Sequence, residues 1–166
     1  PQSQQKIFLD NVRKNRFDRI FPELKIISCW ADSSASDYIQ QIEQLFPDVY
    51  IQPKGLLATE CFTSFPLTGE VGSRLSIHSH FFEFKRLSDG KIFTADQLTT
   101  DKYEVIITTG GGFYRYCIHD IIEVLETYPD KPPRIKFLHR AGITSDLFGE
   151  KLTEEFVRNT LKTLGY

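Results

Sequence analysis

Two acidic residues sit where their chemistry would matter. The first is Glu60, at the end of the run Lys54-Gly55-Leu56-Leu57-Ala58-Thr59-Glu60. A threonine hydroxyl can donate to a phosphate oxygen, and the carboxylate beside it can hold Mg2+ directly or through water. Taken alone, Thr59 and Glu60 read more simply as the cap of a turn. The second is Asp120, inside Tyr116-Cys117-Ile118-His119-Asp120-Ile121-Ile122. A carboxylate in an apolar strand is costly to bury without donors. Two readings are open for it. Either it pairs with a cation such as Arg115 or sits at a strand end, or it accepts hydrogen bonds from two vicinal hydroxyls, as acidic residues do for ribose.

Other chemistry-bearing residues read more plainly. His78 and His80 lie two apart, which on a strand puts them on one face. A metal site needs further ligands that the spacing does not supply, so a solvated strand face is the expectation. His119 and His139 lack a nucleophilic-triad pattern around them. The glycines 110–112 match neither a phosphate loop nor a dinucleotide fingerprint. They read as a tight connection between strands, where glycine tolerates positive φ. Cys29, Cys61 and Cys117 are widely spaced and odd in number. They read as packing residues in a reducing, cytoplasmic setting rather than as a disulfide framework.

The elements that would carry these residues follow from periodicity. Residues 5–21 have apolar positions at helical spacing and predict one helix. Residues 24–30 predict a buried strand. Ser34 and Asp37 give a capping signal for a helix that stops at Pro47, and residues 49–52 predict a second strand. Strand, helix, strand with short links predicts a parallel βαβ unit. Further on, residues 74–87 alternate and predict one antiparallel strand. A turn is expected at 88–91 and a short helical segment at 94–98. Strands are expected at 103–109, 113–125 and 134–138, with a loop at 130–133. Residues 141–149 read as a linker and 153–164 as an amphipathic helix, so a domain boundary is expected near 140/141.

Composition narrows the function class. The 166 residues hold 40% hydrophobic and 13% aromatic residues, enough to fill a core. The balance of 20 basic against 22 acidic residues, net −2, argues against a nucleic-acid partner or a polybasic membrane surface. No apolar run approaches the roughly 20 residues of a spanning helix. The sequence holds no Met, and the expectation is a piece of a longer chain.

Taken together and in order, several segments resemble one family. They are the run 54–60, Phe81-Phe82-Glu83-Phe84, Tyr114 to Asp120, Phe137-Leu138-His139-Arg140 and Glu150-Lys151. The combination resembles the auxin-responsive family of acyl acid amido synthetases, within the adenylate-forming superfamily. The resemblance runs from about residue 24 to the end. It implies an α/β fold with a mixed sheet and flanking helices, the C-terminal part of the large domain of an adenylate-forming enzyme. Residues 1–140 would belong to that large domain, and 141–166 to the hinge and first helix of the small C-terminal domain.

The resemblance also implies roles. ATP and Mg2+ would be bound, with Ala58, Thr59, Glu60, Tyr114, Asp120 and Arg140 facing the nucleotide. Glu60 would hold the metal, Asp120 the ribose hydroxyls, and Glu60 and Arg140 would act in catalysis. The intact protein would join a small carboxylic acid to an amine, an amino acid, while this piece alone would be inactive. Two positions depart from the family pattern: His119 and Cys61 stand where Gly is usual. A side chain at either place is expected to crowd the nucleotide or change the backbone. The rival readings are an acyl-CoA ligase of the same superfamily and a non-catalytic nucleotide- or acyl-binding domain.

Overall fold

The computed structural model describes residues 2–142, 144–145 and 152–164. The chain forms two compact units, residues 1–54 and 55–166.

The first unit is built from α1 (Gln2–Arg13), α2 (Phe17–Ile20), β1 (Ile26–Cys29), α3 (Ser36–Leu45) and β2 (Tyr50–Pro53). β1 and β2 pair in parallel, Ile26 opposite Tyr50 and Cys29 opposite Pro53, so the expected βαβ unit forms. The single helix expected over 5–21 is instead broken in two. Asn15 adopts φ 52°, and its N–H bonds Val12 O at 3.1 Å while Arg16 N–H bonds Asn11 O at 2.8 Å. That pair of bonds is a Schellman closure, with asparagine in the left-handed position that ends a helix. Ser33–Ala35 form a 3-10 turn, and α3 continues directly from it with Ala35 at its N-cap; the Ser34 side chain of the expected cap lies outside the described residues.

The second unit contains β3 (Ser64–Pro66), β4 (Ser73–Leu75), β5 (Phe81–Arg86), β6 (Ile92–Thr94), β7 (Lys102–Thr108), β8 (Tyr116–Glu126) and β9 (Arg134–Arg140). They form one sheet in the order β3-β4-β9-β8-β7-β5-β6, and every neighbouring pair is antiparallel. The parallel and antiparallel parts of the α/β fold thus fall in separate sheets. β10 (Thr144–Ser145) and β11 (Leu152–Thr153) pair with each other, and α4 (Glu154–Thr163) follows, close to the expected helix. The expected linker at 141–149 and the pair Glu150-Lys151 lie largely outside the described residues.

Alternation places one face of the central strands in the core. Phe82, Phe84, Tyr103, Val105, Ile107, Ile118, Ile122, Val124 and Ile135 are buried in one cluster. Burying each such side chain contributes roughly 1.5–3 kcal/mol. Tyr103 is fully buried and keeps its hydroxyl paired, donating to Thr99 O at 3.1 Å, as a buried phenol requires.

Two strand expectations need correction. The strand expected over 74–87 is two strands, β4 and β5, parted by a turn. Ser79 closes that turn: its N–H bonds Ser76 O at 3.0 Å, and its hydroxyl donates to Phe62 O at 2.7 Å and Ser76 O at 2.8 Å. Local hydroxyl bonds of this kind compete with a ladder. His78 and His80 therefore sit in the turn, so the shared-face argument for them fails. The strand expected from 113 begins instead at Tyr116, because Arg115 has φ 48°. The glycines 110–112 do form the tight β7–β8 connection, with Gly112 at φ 110°.

Candidate functional site

Thr59 and Glu60 stand at the tip of a narrow loop, not at the end of a strand. Leu57 bridges Phe62, and Ala58 N–H bonds Cys61 O at 3.0 Å. The base is fastened by Thr63 N–H and Ser64 N–H, both bonding Leu56 O at 3.1 Å, and by Leu56 N–H on Ser64 Oγ at 2.8 Å. Gly55 is required here by space: a Cβ would meet Ser64 O at 2.2 Å. The loop leaves Thr59 exposed and Glu60 partly exposed, with Ala58 packed against the core.

Cys61, the first departure from the family pattern, turns inward. It is buried in the core cluster with Leu56, and its Sγ lies 3.1 Å from Thr63 Oγ1. Burial pushes its thiol above the usual range, and the Glu60 and Asp120 charges add to the rise. The expected crowding by Cys61 therefore does not arise from its side chain.

Asp120 is placed by a bulge in β8. Cys117 is opposite Ile106 and Ile121 is opposite Glu104, so three residues of β8 answer one of β7. The extra length is taken up at His119, with φ 62°. That is the left-handed region, where a non-glycine residue costs about 1–2 kcal/mol. The second departure thus falls where the backbone itself calls for glycine, and histidine adopts the same conformation. The histidine ring is 58% exposed, and its backbone oxygen accepts Ala141 N–H at 2.6 Å. β9 is correspondingly longer than expected, and it carries Arg140 opposite Asp120.

Asp120 is only 8% exposed. Burial raises its carboxyl above the usual range, Arg140 and His119 oppose the rise, and Glu60 adds to it. Glu60 and Arg140 are therefore each within electrostatic reach of Asp120, although sixty residues separate Glu60 from it in sequence. Arg115 is not the partner of Asp120. It forms a two-pronged pair with Glu83 on β5, both bonds at 2.9 Å. Tyr114 is 80% exposed in the β7–β8 loop and is not drawn into this group.

Sequence reasoning missed one cluster. Glu104 on β7, with Cys117 and His119 on β8, bring one ligand atom each to within 4.8 Å of the others. The Cys-x-His spacing was visible, but the third member comes from the strand register. Among the described residues neither His78 nor His80 joins a group of three such ligands.

Comparison with known proteins agrees with the motif order. Residues 74–140 match the GH3 family central domain. A probable indole-3-acetic acid-amido synthetase GH3.11 from Oryza sativa subsp. japonica is 30% identical over 94 residues, covering 57% of this chain and 15% of the relative. The indole-3-acetic acid-amido synthetase GH3.17 from Arabidopsis thaliana is 24% identical over 172 residues, covering 86% of this chain and 28% of the relative. In fold, the chain superposes on AtGH3.15 acyl acid amido synthetase in complex with 2,4-DB with a TM-score of 0.77, at 19% identity, over 89% of this chain and 27% of that one. The chain spans 15–33% of the length of the first three curated relatives. Residues 74–140 thus match the GH3 family central domain, and the chain has the fold of the acyl acid amido synthetase on which it superposes.

Proposed function

We propose that this chain supplies the nucleotide-facing part of an ATP-dependent ligase that conjugates a small carboxylic acid to an amino acid. The observation that carries the reading is the buried Asp120 carboxylate, held opposite Arg140 with Glu60 in reach. The names of the relatives, indole-3-acetic acid-amido synthetases, support the same class of reaction.

In this reading the substrate carboxylate attacks the α-phosphorus of ATP and pyrophosphate leaves, giving an acyl-adenylate. The amine then attacks the acyl carbon, an amide forms, and AMP departs. The chain contributes position and charge. Asp120 accepts hydrogen bonds from the ribose hydroxyls. Thr59 donates to an α-phosphate oxygen from the loop tip, beside the backbone of Ala58. Tyr114 flanks the nucleotide, and Arg140 donates to it next to the hinge. The division of the chain into large-domain residues 1–140 and small-domain residues 141–166 belongs to the same reading.

Glu60 offers carboxylate oxygens at the tip of its loop, donors that suit a hard cation such as Mg2+. Glu60, more accessible than Asp120, would hold it. The ion would neutralise phosphate charge when bound. Among the described residues no helix is long and apolar enough to cross a membrane. All three cysteines are free, which fits a reducing cytoplasmic setting.

The test is acid-dependent ATP–pyrophosphate exchange by the protein at full length, across aromatic and aliphatic acids. Exchange that requires one class of acid is the expected result. A folded protein that binds ATP but exchanges with no acid would overturn the reading in favour of a binding domain.

A further inference from the structure

We propose that Glu104, Cys117 and His119 form a binding site for a zinc-class divalent transition metal ion, separate from the Mg2+ role given to Glu60. Cys117 Sγ lies 3.6 Å from His119 Nδ1, and Nδ1 lies 3.0 Å from Glu104 Oε1. A tetrahedral ion with ordinary Zn–S and Zn–N bonds sets sulfur and nitrogen about 3.6 Å apart. The nitrogen-to-oxygen edge of the same sphere is about 3.4 Å, so the His–Glu pair must open by a few tenths of an ångström, and the sulfur and the Glu104 oxygen lie within 4.8 Å of each other.

The chemistry of the donors selects the ion. A thiolate, an imidazole and a carboxylate suit zinc and its neighbours better than Mg2+ or Ca2+. Glu104 is fixed for the task, because its other oxygen lies 3.8 Å from Lys85 Nζ, leaving Oε1 to the site. The exposed histidine ring gives an entry path and leaves the fourth position open to water, the usual arrangement of a three-ligand site. The bulge explains why the ligands meet: the left-handed backbone at His119 sets its ring beside both partners.

The experiment is a titration of the chelator-stripped protein with Co2+, followed by thiolate-to-cobalt charge-transfer absorption and by displacement with Zn2+. One equivalent should bind with a thiolate band. Cys117→Ser should abolish the band, and Cys29→Ser should leave it unchanged. Glu104→Gln and His119→Gly should each weaken binding at least tenfold, with folding checked by circular dichroism. His119→Gly keeps the test decisive if Cys117→Ser does not fold, because glycine accepts the left-handed backbone. No thiolate band at stoichiometric metal, a band that survives Cys117→Ser, or unchanged affinity in His119→Gly would each show that the three residues form only a hydrogen-bonded cluster.

Discussion

β8 has two halves with different work. From Ile122 to Val124 the strand pairs with β9 in regular register, and Ile122 and Val124 are wholly buried. From Tyr116 to Asp120 it bulges, places His119 at φ 62° and buries a carboxylate. The first half stabilises the fold, while the second gives up some of that stability to hold polar groups in fixed directions. Substitutions in the two halves should therefore separate stability from binding.

Ile122→Ala in the regular half should destabilise by about 2–5 kcal/mol through lost burial and the cavity left behind. Chemical denaturation reads this directly, and a loss below about 1 kcal/mol would mean the regular half is not the stable one. Gly55→Ala bears on the base of the loop that carries Glu60. Its Cβ would collide with the Ser64 backbone, and a cost of about 1–3 kcal/mol is expected for such overpacking. Loss of native packing without any change in denaturation midpoint would contradict the assigned crowding.

The pH dependence should differ between Asp120 and the exposed turn residue Asp89. Asp120 has a folded carboxyl raised above its usual 3.8, so the folded state holds the proton more tightly. Its contribution is fully present below 3.8 and is lost as pH rises through the raised value. Asp120→Asn should remove this loss, so its stability relative to the parent should improve from mildly acidic pH toward neutrality. Asp89 runs the other way. Arg86 holds it at about 2, so its contribution is present above the usual 3.8 and is lost as pH falls toward 2. Asp89→Asn should remove only this acid-side loss. Thermal melts of both variants across pH check the signs, and parallel curves would refute them.

The smallest expected effect is that of His119→Gly on stability. Relief of left-handed strain favours the variant, while the flexible unfolded glycine chain and the lost Glu104 contact oppose it. The net change should stay within about 1 kcal/mol by denaturation, and a larger loss would mean the histidine ring holds the bulge together.

Apolar β-branched runs on either side of the glycines made β7 and the regular half of β8 readable, and short apolar runs around an amphipathic helix made the parallel pair readable. The breaks were harder, because each depends on a local bond that competes with regular structure. Ser79 stops one strand with its hydroxyl, and Asn15 stops a helix by turning left-handed. For the site, Asp120 was conspicuous as a carboxylate in an apolar run. Arg115 stood open as one partner for it, and Arg140 emerges as its neighbour only in the structure, because pairing across strands is set by register and the bulge shifts that register. The Glu104–Cys117–His119 cluster was hidden for the same reason.

The central claim is that the bulged half of β8 presents Asp120 to the ribose of a nucleotide. The direct measurement is the affinity of the full-length protein for ATP and for 2′,3′-dideoxy-ATP, with and without Asp120→Ala. The parent should prefer ATP, and the variant should lose about 1.5–3 kcal/mol of ATP binding together with that preference. Equal ATP affinity in a folded Asp120→Ala protein, or a parent that binds both nucleotides alike, would contradict the claim.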